Sequence, residues 1–441
     1  MKYIYALFAV ILGFPALMPA QDFGLGLVTS AAIGRVEVPL PAVSPMAVNT
    51  PQMALKTGVP LKKWTIIALV NGKNNLTFAA EADMNEMEAI GSTAEIDVVV
   101  EMGTVSAAHG KPPAYSVKRY RVEKDADAGK ITSPVLMTLK KADMGSWEHL
   151  AEFITWAKTN YPAERYMVVV WNHGSGWKSM GKPLAQLPAN KGISYDDQTG
   201  NHITAIEMAA VLAKAGRVDV FDSDACLMQE LATNYELRNY TDVVVGSEET
   251  EPFEGQDYTR FLGALAAAPA ASAEDLGRMY VKAYYDSYAA TNTRTTISAV
   301  RAKAFDGLLR RVNVLSDALL VSGDIKFAKD SRRKTLKFSE PDAKDLGDFA
   351  RIVAEDAKDP AVKAAAAALN DYIRTEVVIA KAFTGWFENA SGLATNLPLV
   401  YLEEDNYDKL SFAAASSWTT LIRKMSSTQA DSDYWDDYPA E

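Results

Sequence analysis

Apolar residues along the chain fall into short continuous runs that alternate with amphipathic stretches. Five runs predict strands covered on both faces: "WTIIALV" (64–70), "EIDVVVEMG" (95–103), "RYMVVVW" (165–171), "VDVFDSDA" (218–225) and "DVVVGS" (242–247). Helical spacing follows most of them, as in 78–91, 146–161, 204–216 and 227–240. This alternation predicts an α/β fold, a three-layer sandwich with a mostly parallel central sheet.

Two other parts of the chain have different patterns. Residues 114–139 alternate in polarity and turn at Asp-Ala-Gly, which predicts a hairpin near a sheet edge. Residues 263–441 form a mainly helical C-terminal region, in which 295–301 and 392–402 are candidate additional strands. We therefore place the core of the protein at 61–262 and treat 263–441 as a separate region.

The first 60 residues lack this regular pattern. Residues 1–20 combine Lys2, an apolar stretch and a candidate cleavage point after Ala20, which predicts a secretory signal peptide; an uncleaved membrane anchor is the alternative. Residues 21–60 are rich in Pro, Ala, Val and Gly, which predicts a linker or pro-segment. No later segment has the apolar length of a spanning helix. The expected location is therefore secreted or periplasmic, without membrane attachment after signal removal.

Composition narrows the function further. The net charge of the 441 residues is −11, and no basic run is long enough to follow phosphates. Nucleic acid is therefore a poor candidate partner, whereas an acidic surface suits cationic substrates. The single cysteine excludes an intrachain disulfide, and an unpaired thiol in an exported protein suggests a use for that thiol.

The candidate chemistry lies where two neighbouring strands end. His173 follows the third strand and Cys226 ends the fourth, and the carboxyl ends of parallel strands meet at one sheet edge. If Cys226 also opens the next helix, the helix dipole lowers its pKa. A histidine and a cysteine so placed form a nucleophilic pair, and the amides of Gly174 and Cys226 form a candidate oxyanion hole.

Simpler interpretations exist for each residue. A lone cysteine at a strand end is usually a small buried apolar residue, and a histidine beside glycine often serves only a loop hydrogen bond. A metal site has weaker support, because the other histidines show no ligand spacing and one cysteine makes no thiolate cluster.

Four motifs together resemble the clostripain family of cysteine peptidases, which share a caspase-like fold. They are "WNHGSGW" (171–177), "GISYDDQTGNHIT" (192–204), "FDSDACLMQELATNYEL" (221–237) and "VVVGSEETEPFEGQDYT" (243–259). The resemblance covers roughly residues 62–262. It implies that His173 is the catalytic histidine and Cys226 the nucleophile, and that peptides or proteins are cut after Arg or Lys.

The resemblance also has implications for proteolytic processing and for metal binding. Family members are often cut between histidine and cysteine, and Lys191, after a proline-containing stretch, is our first candidate among Lys178, Lys182 and Lys191. No cofactor is expected to be required. Calcium occurs in some members, with Asp196 and Asp197 as candidate ligands, although two such residues favour a turn-forming role.

Two acidic residues are candidates for binding a cationic substrate side chain. Strand alternation places Asp224 on the same side as Cys226, and in the family an acidic residue of the segment 247–255 lines the pocket, a position that resembles Glu254 here. Arginine can bridge two carboxylates, so we expect Arg to be preferred over Lys. The alternative is that Asp224 only caps the next helix and the glutamates are solvated.

The sequence alone leaves two other function classes open. One is a catalytically silent caspase-like binding domain, which the intact Cys226, His173 and Gly174 disfavour. The other is a thiol amidase or acyltransferase, which turnover of a peptide library distinguishes from an endopeptidase.

Overall fold

A nine-stranded sheet forms the centre of the computed structural model, which describes residues 61–106, 111–177, 192–401 and 407–426. The strands are β1 (Lys62–Gly72), β2 (Ile96–Ser106), β3 (Ala114–Arg121), β4 (Val135–Leu139), β5 (Ala163–Trp171), β6 (Ile193–Asp196), β7 (Asn201–Ile203), β8 (Val220–Asp224), β9 (Val243–Gly246), β10 (Thr295–Arg301), β11 (Ala343–Asp345), β12 (Val378–Thr384) and β13 (Ala394–Asn396). The order across the large sheet is β12-β10-β9-β8-β5-β1-β2-β3-β4.

The middle of the sheet is parallel and its edges are antiparallel. The five strands of the sequence prediction, β1, β2, β5, β8 and β9, pair in parallel with one another. The predicted hairpin is confirmed: β3 and β4 pair antiparallel at one edge. β10 and β12 add two antiparallel strands at the other edge. The mostly parallel central sheet is therefore confirmed.

Helices cover both faces of this sheet. They are α1 (Thr77–Glu88), α2 (Trp147–Asn160), α3 (Ala205–Ala215), α4 (Leu231–Leu237), α5 (Tyr258–Ala267), α6 (Ala273–Tyr288), α7 (Phe305–Ser322), α8 (Ile325–Lys334), α9 (Leu346–Asp356), α10 (Pro360–Tyr372), α11 (Ser411–Ala415) and α12 (Trp418–Met425). Along β1, Ile67 and Leu69 pack with the α2–α4 side, while Ile66 and Ala68 pack with the α1, α5 and α6 side. Alternate side chains of the strands thus pack into two apolar cores, one on each face of the sheet, and this produces the three layers.

Local sequence signals explain where the core helices begin. The Ser146 side chain accepts a hydrogen bond from the His149 amide at the start of α2. Thr204 and Glu207 form a reciprocal capping box at the start of α3. Both helices begin where the sequence predicts, and both bury their apolar stripe against the sheet.

The C-terminal region contributes to the same sheet. The candidate strand at 295–301 is confirmed as β10. In the candidate strand at 392–402, of which residues 392–401 are described, the described part contains the short β13, paired with β11. β12 lies in a stretch that is mainly helical, as the sequence predicts, and it is a strand that the sequence did not single out. The sequence boundary at residue 262 falls inside α5, which packs on the core.

The predicted signal peptide (1–20) and linker or pro-segment (21–60) lie outside the described residues. Within the part of the chain that is described, every helix is too short or too polar to cross a bilayer.

Candidate active site

Two adjacent parallel strands deliver the candidate catalytic residues to one edge of the sheet. The last five residues of β5 pair with β8, and Trp171, the last residue of β5, lies opposite Asp224, the last residue of β8. His173 and Cys226 each follow two residues later, and both are partly buried. The adjacency that the sequence predicts for these two strands is confirmed.

The loops after these strands contact each other directly at Gly174. A β-carbon at Gly174 would lie 2.5 Å from the carbonyl oxygen of Cys226 and 2.9 Å from the β-carbon of Ala225. Any side chain at this position would therefore separate the histidine loop from the cysteine loop. Glycine at position 174, directly after His173, therefore permits this close approach of the two loops.

Asn172 fixes the start of the histidine loop. Its amide donates to the Asp224 carbonyl (3.2 Å), and its side-chain nitrogen donates to the carbonyl of Asn71 at the end of β1 (2.5 Å). Its side-chain oxygen accepts from the amide of Tyr195 in β6 (2.7 Å). The backbone and the buried side chain of Asn172 thus join the ends of three strands and position the neighbouring His173.

A residue that the sequence analysis missed orients the imidazole of His173. The Nε2 atom of His173 lies 2.8 Å from Oδ1 of Asn75, in the loop between β1 and α1. An amide oxygen only accepts, so Nε2 carries the proton and Nδ1 keeps the lone pair of a base. The only sequence signal was local: Asn75 lies just after the end of β1, at the edge that hosts His173.

The electrostatic environment of His173 favours the neutral imidazole in the resting protein. Burial lowers the pKa of His173, and the nearby charge of Asp197 opposes this effect. The exposed Asp197 therefore stabilises the imidazolium form when a proton arrives.

The structure corrects the predicted environment of Cys226. The following helix, α4, begins only at Leu231 and is capped by Glu230, so Cys226 does not open a helix. Burial raises the pKa of the Cys226 thiol, and the nearby Asp224 and Glu249 add to the rise. One opposing contact is the amide of Glu251, which donates to Sγ at 3.2 Å. The expected depression of the thiol pKa by a helix dipole is therefore wrong, and the resting thiol is neutral.

Asp224 lies beneath the cysteine loop among other acids and hydroxyls. Its Oδ2 atom accepts from the Tyr258 hydroxyl (2.5 Å), and its carboxyl group is hydrogen-bonded to that of Glu251. Gly255 also approaches it, since a β-carbon there would lie 3.5 Å from Oδ1. Asp224 does not cap the next helix, because Glu230 does.

The structure does not place Glu254 against Asp224. Glu254 is exposed, as is its neighbour Phe253, whereas Glu251 is the glutamate of this loop that contacts Asp224. The part of Glu254 in substrate binding stays a prediction. The identity of the contacting glutamate depends on the loop path, which alternation along β8 does not specify.

The carboxylate oxygens of Asp196 are occupied by protein donors. Oδ2 accepts from Lys73 Nζ (2.7 Å), in a fully buried ion pair, and from the Met144 amide (2.9 Å). Oδ1 accepts from the amides of Gln198 and Thr199. These contacts are those of a turn-forming residue, and calcium binding by Asp196 and Asp197 stays a prediction.

Lys191 lies outside the described residues, but the next residue is well fixed. Gly192 accepts from the amide of Ser175 (3.0 Å) and donates to its hydroxyl (3.2 Å). A β-carbon at Gly192 would overlap the carbonyl oxygen of Ile203. The chain that follows the candidate cut is therefore held against the histidine loop.

Comparison with known proteins identifies the family of this chain. The model of the clostripain family matches residues 68–437, which is most of the chain. The chain belongs to the clostripain family. Clostripain of Hathewaya histolytica is 29% identical over 160 residues, which are 33% of this chain and 30% of clostripain. That match therefore spans less than a third of the curated relative.

Solved structures of C11 proteases, the same family, share the fold. A secreted C11 cysteine protease from Bacteroides thetaiotaomicron, bound to an irreversible peptide inhibitor, superposes with a TM-score of 0.61 at 22% identity, covering 81% of this chain and 99% of that chain. An inactive zymogen of a C11 protease from Parabacteroides distasonis gives 0.58 at 19% identity, with 81% and 99% covered. The caspase-like clostripain fold is thus established for this chain.

Proposed function

We propose that this protein is a cysteine endopeptidase in which Cys226 is the nucleophile and His173 the general base. The observation that carries this proposal is the contact of Gly174 with the Cys226 carbonyl, which brings the two strand-end loops together. Family membership supports the same assignment.

The resting pair is neutral, so the thiolate forms only as the reaction begins. Nδ1 of His173 takes the thiol proton while Sγ attacks the scissile carbonyl carbon. The amides of Gly174 and Cys226 receive the developing oxyanion. Asp197 stabilises the imidazolium, which then protonates the leaving amine. Water, activated by His173, hydrolyses the thioester and restores the thiol.

The substrate side chain before the cut is Arg or Lys. Asp224 and Glu251 form an acidic pair beside Cys226. Asp224 is buried and Glu251 is partly exposed, which gives the pair a route to solvent. No lysine or arginine among the described residues pairs with either carboxyl group. A cationic side chain compensates both, whereas a neutral side chain leaves them unpaired.

Arginine suits this pair better than lysine. Its planar guanidinium offers parallel N–H groups to two carboxyl groups at once, whereas an ammonium is a point charge. Glu254 on the same loop is a candidate for attracting the substrate cation from a longer distance.

Two further steps belong to this proposal. Residues 1–20 direct export, so that the enzyme acts outside the cytoplasm. The chain cuts itself after Lys191, and the fixed position of Gly192 is consistent with a cut that leaves the histidine loop intact. Calcium is not required in this scheme.

Matched peptides test the specificity. We expect wild-type kcat/KM to fall in the order Arg, Lys, Gln, and Asp224→Asn or Glu251→Gln to narrow the gap between Arg and Gln by at least about tenfold. Glu254→Gln, measured in parallel, reports whether that exposed carboxylate contributes. If wild type cuts Gln peptides as well as Arg peptides, the proposed specificity is wrong.

A further inference from the structure

More carboxyl groups lie near Cys226 than are needed to bind one cationic side chain of a substrate. Asp83 of α1 accepts from the Trp171 indole (2.7 Å), and Asp222 of β8 accepts from the Tyr280 hydroxyl (2.6 Å). With Asp224 and Glu251, four carboxyl groups share this region. The other oxygen of Asp222, Oδ1, is fully buried without a hydrogen-bond partner.

Within the described part of the chain, the surroundings of Glu251 contain no lysine or arginine that compensates its charge. The titratable groups of this cluster, listed by element, are Asp83 and Glu86 of α1, Asp222 and Asp224 of β8, Cys226 and Glu249 in the adjoining loops, Tyr258 of α5, and Tyr280, Tyr284 and Tyr288 of α6. All of them are carboxyl groups, tyrosine hydroxyls or the Cys226 thiol, and none of these groups carries a positive charge. Among the described residues, no lysine or arginine contacts the four carboxyl groups.

The Asp224–Glu251 contact requires a proton. Two carboxylates have only acceptor atoms, so a hydrogen bond between them exists only when one of them is protonated. Burial raises the pKa of Glu251 well above its ordinary value, and the charge of Asp224 raises it further. Glu251 is also the partly exposed member, whereas Asp224 is buried and accepts from Tyr258 as well. The shared proton therefore resides on Glu251.

We infer that Glu251 is a specificity-determining residue whose carboxyl group exchanges its proton for the cationic side chain of the substrate. This inference rests on the proposed function. In the empty enzyme the O–H of Glu251 donates to Asp224. When a guanidinium enters, the proton leaves to solvent, and N–H groups of the guanidinium donate to both carboxylates. Protons thus compete with the substrate for the same pair.

The sign of the pH effect follows from this exchange. Acid favours the protonated, empty pair, so affinity for an Arg peptide rises with pH and levels off once Glu251 of the free enzyme has lost its proton. A neutral citrulline peptide, which has nearly the shape of the Arg peptide, displaces no proton.

Calorimetry on the full-length Cys226→Ala protein tests the exchange. The probes are acetyl-Ala-Ala-Arg-amide and its citrulline counterpart, titrated from pH 5 to 8 in buffers with small and large ionisation enthalpies. We expect release of up to about one proton per Arg peptide and none with Glu251→Gln. Arg-peptide heats that do not depend on the buffer at any pH would overturn the inference.

A second measurement covers the case in which Glu251→Gln does not fold. In the wild-type enzyme, KM for an Arg substrate should fall by up to about tenfold per pH unit over part of this range, while KM for the citrulline substrate stays flat. If the enzyme prefers Arg but the KM values for the Arg and citrulline substrates depend equally on pH, only the proton exchange is contradicted. Equal affinity for both peptides contradicts the proposed Arg/Lys specificity itself.

Discussion

Gly174 lies directly against Cys226, so that a β-carbon at residue 174 would stand 2.5 Å from the Cys226 carbonyl oxygen. This contact couples the loop that carries the imidazole to the loop that carries the thiol. Because the contacting atoms belong to the backbone, neither loop can yield without moving its catalytic residue.

We expect Gly174→Ala to lower kcat/KM by at least about a hundredfold, because the methyl group forces the two loops apart by a distance that catalysis does not tolerate. The effect is measured as activity on an Arg peptide, and circular dichroism checks that the variant is folded. Gly129→Ala is the control, since only the Asp127 side chain lies near a β-carbon there, at 3.5 Å. Wild-type activity in Gly174→Ala would show that this contact does not position the site.

Cys226→Ala should abolish turnover and leave the fold intact, because the change removes one sulfur atom from a partly buried side chain. His173→Ala should lose nearly as much activity, and the double variant no more than Cys226→Ala alone, since the two residues act as a unit. The measurements are steady-state kinetics and thermal unfolding. Substantial peptidase activity in folded Cys226→Ala would contradict the mechanism.

Asn75 should act as a positioning residue for His173. Asn75→Ala frees Nε2 and is expected to lower kcat by about tenfold with little change in KM. Asn75→Asp keeps an acceptor and adds a charge that favours the imidazolium, so the acid limb of the pH–rate profile should move to higher pH. Asn160→Ala, an exposed change at the far end of α2, is the control. An unchanged profile in Asn75→Asp would remove Asn75 from the site.

Self-processing predicts which variants stay intact. Purified Cys226→Ala and Lys191→Gln should each migrate as a single chain, whereas Lys182→Gln should still be cut. Denaturing electrophoresis and N-terminal sequencing beginning at Gly192 check this. Active wild-type enzyme that remains one chain would refute processing without touching the mechanism.

Glu230 should make the protein less stable as pH rises. Burial raises its pKa from 4.5 to about 7, although it caps α4 by accepting from the amide of Thr233. The folded state therefore holds this proton more tightly than the unfolded state. Its contribution to stability is greatest below pH 4.5 and is lost as pH rises to about 7, on the order of 3 kcal/mol in total.

Glu230→Gln should flatten this part of the pH dependence. Denaturant unfolding between pH 5 and 8, with the exposed Glu81→Gln as control, isolates the contribution as a difference from wild type. A wild-type-like slope in Glu230→Gln would mean that Glu230 is already charged throughout this range.

The sequence could predict much of the fold because its information is local. Continuous apolar runs specify strands buried on both faces, and Ser146 and Thr204 mark the starts of α2 and α3. β12 was missed because its side chains are only partly buried and follow a long helix, so their pattern resembles the preceding stretch.

The positions of His173 and Cys226 were also determined by the sequence alone. Each follows a buried parallel strand by two residues, and the geometry of parallel sheets brings such positions to one edge. Gly174 could be singled out for the same reason, because a glycine next to a strand-end histidine permits close backbone approach.

Only the tertiary structure decided how these groups behave. Asn75 and Glu251 reach the site from distant loops, and no periodicity along the chain encodes which side chain of a loop turns inward. The Cys226 thiol is likewise neutral because burial and the acids that the fold places around it raise its pKa. Its position after a strand does not reveal these contacts. Strand periodicity fixes position along a sheet, whereas pKa values and partners are set by contacts between residues far apart in the chain.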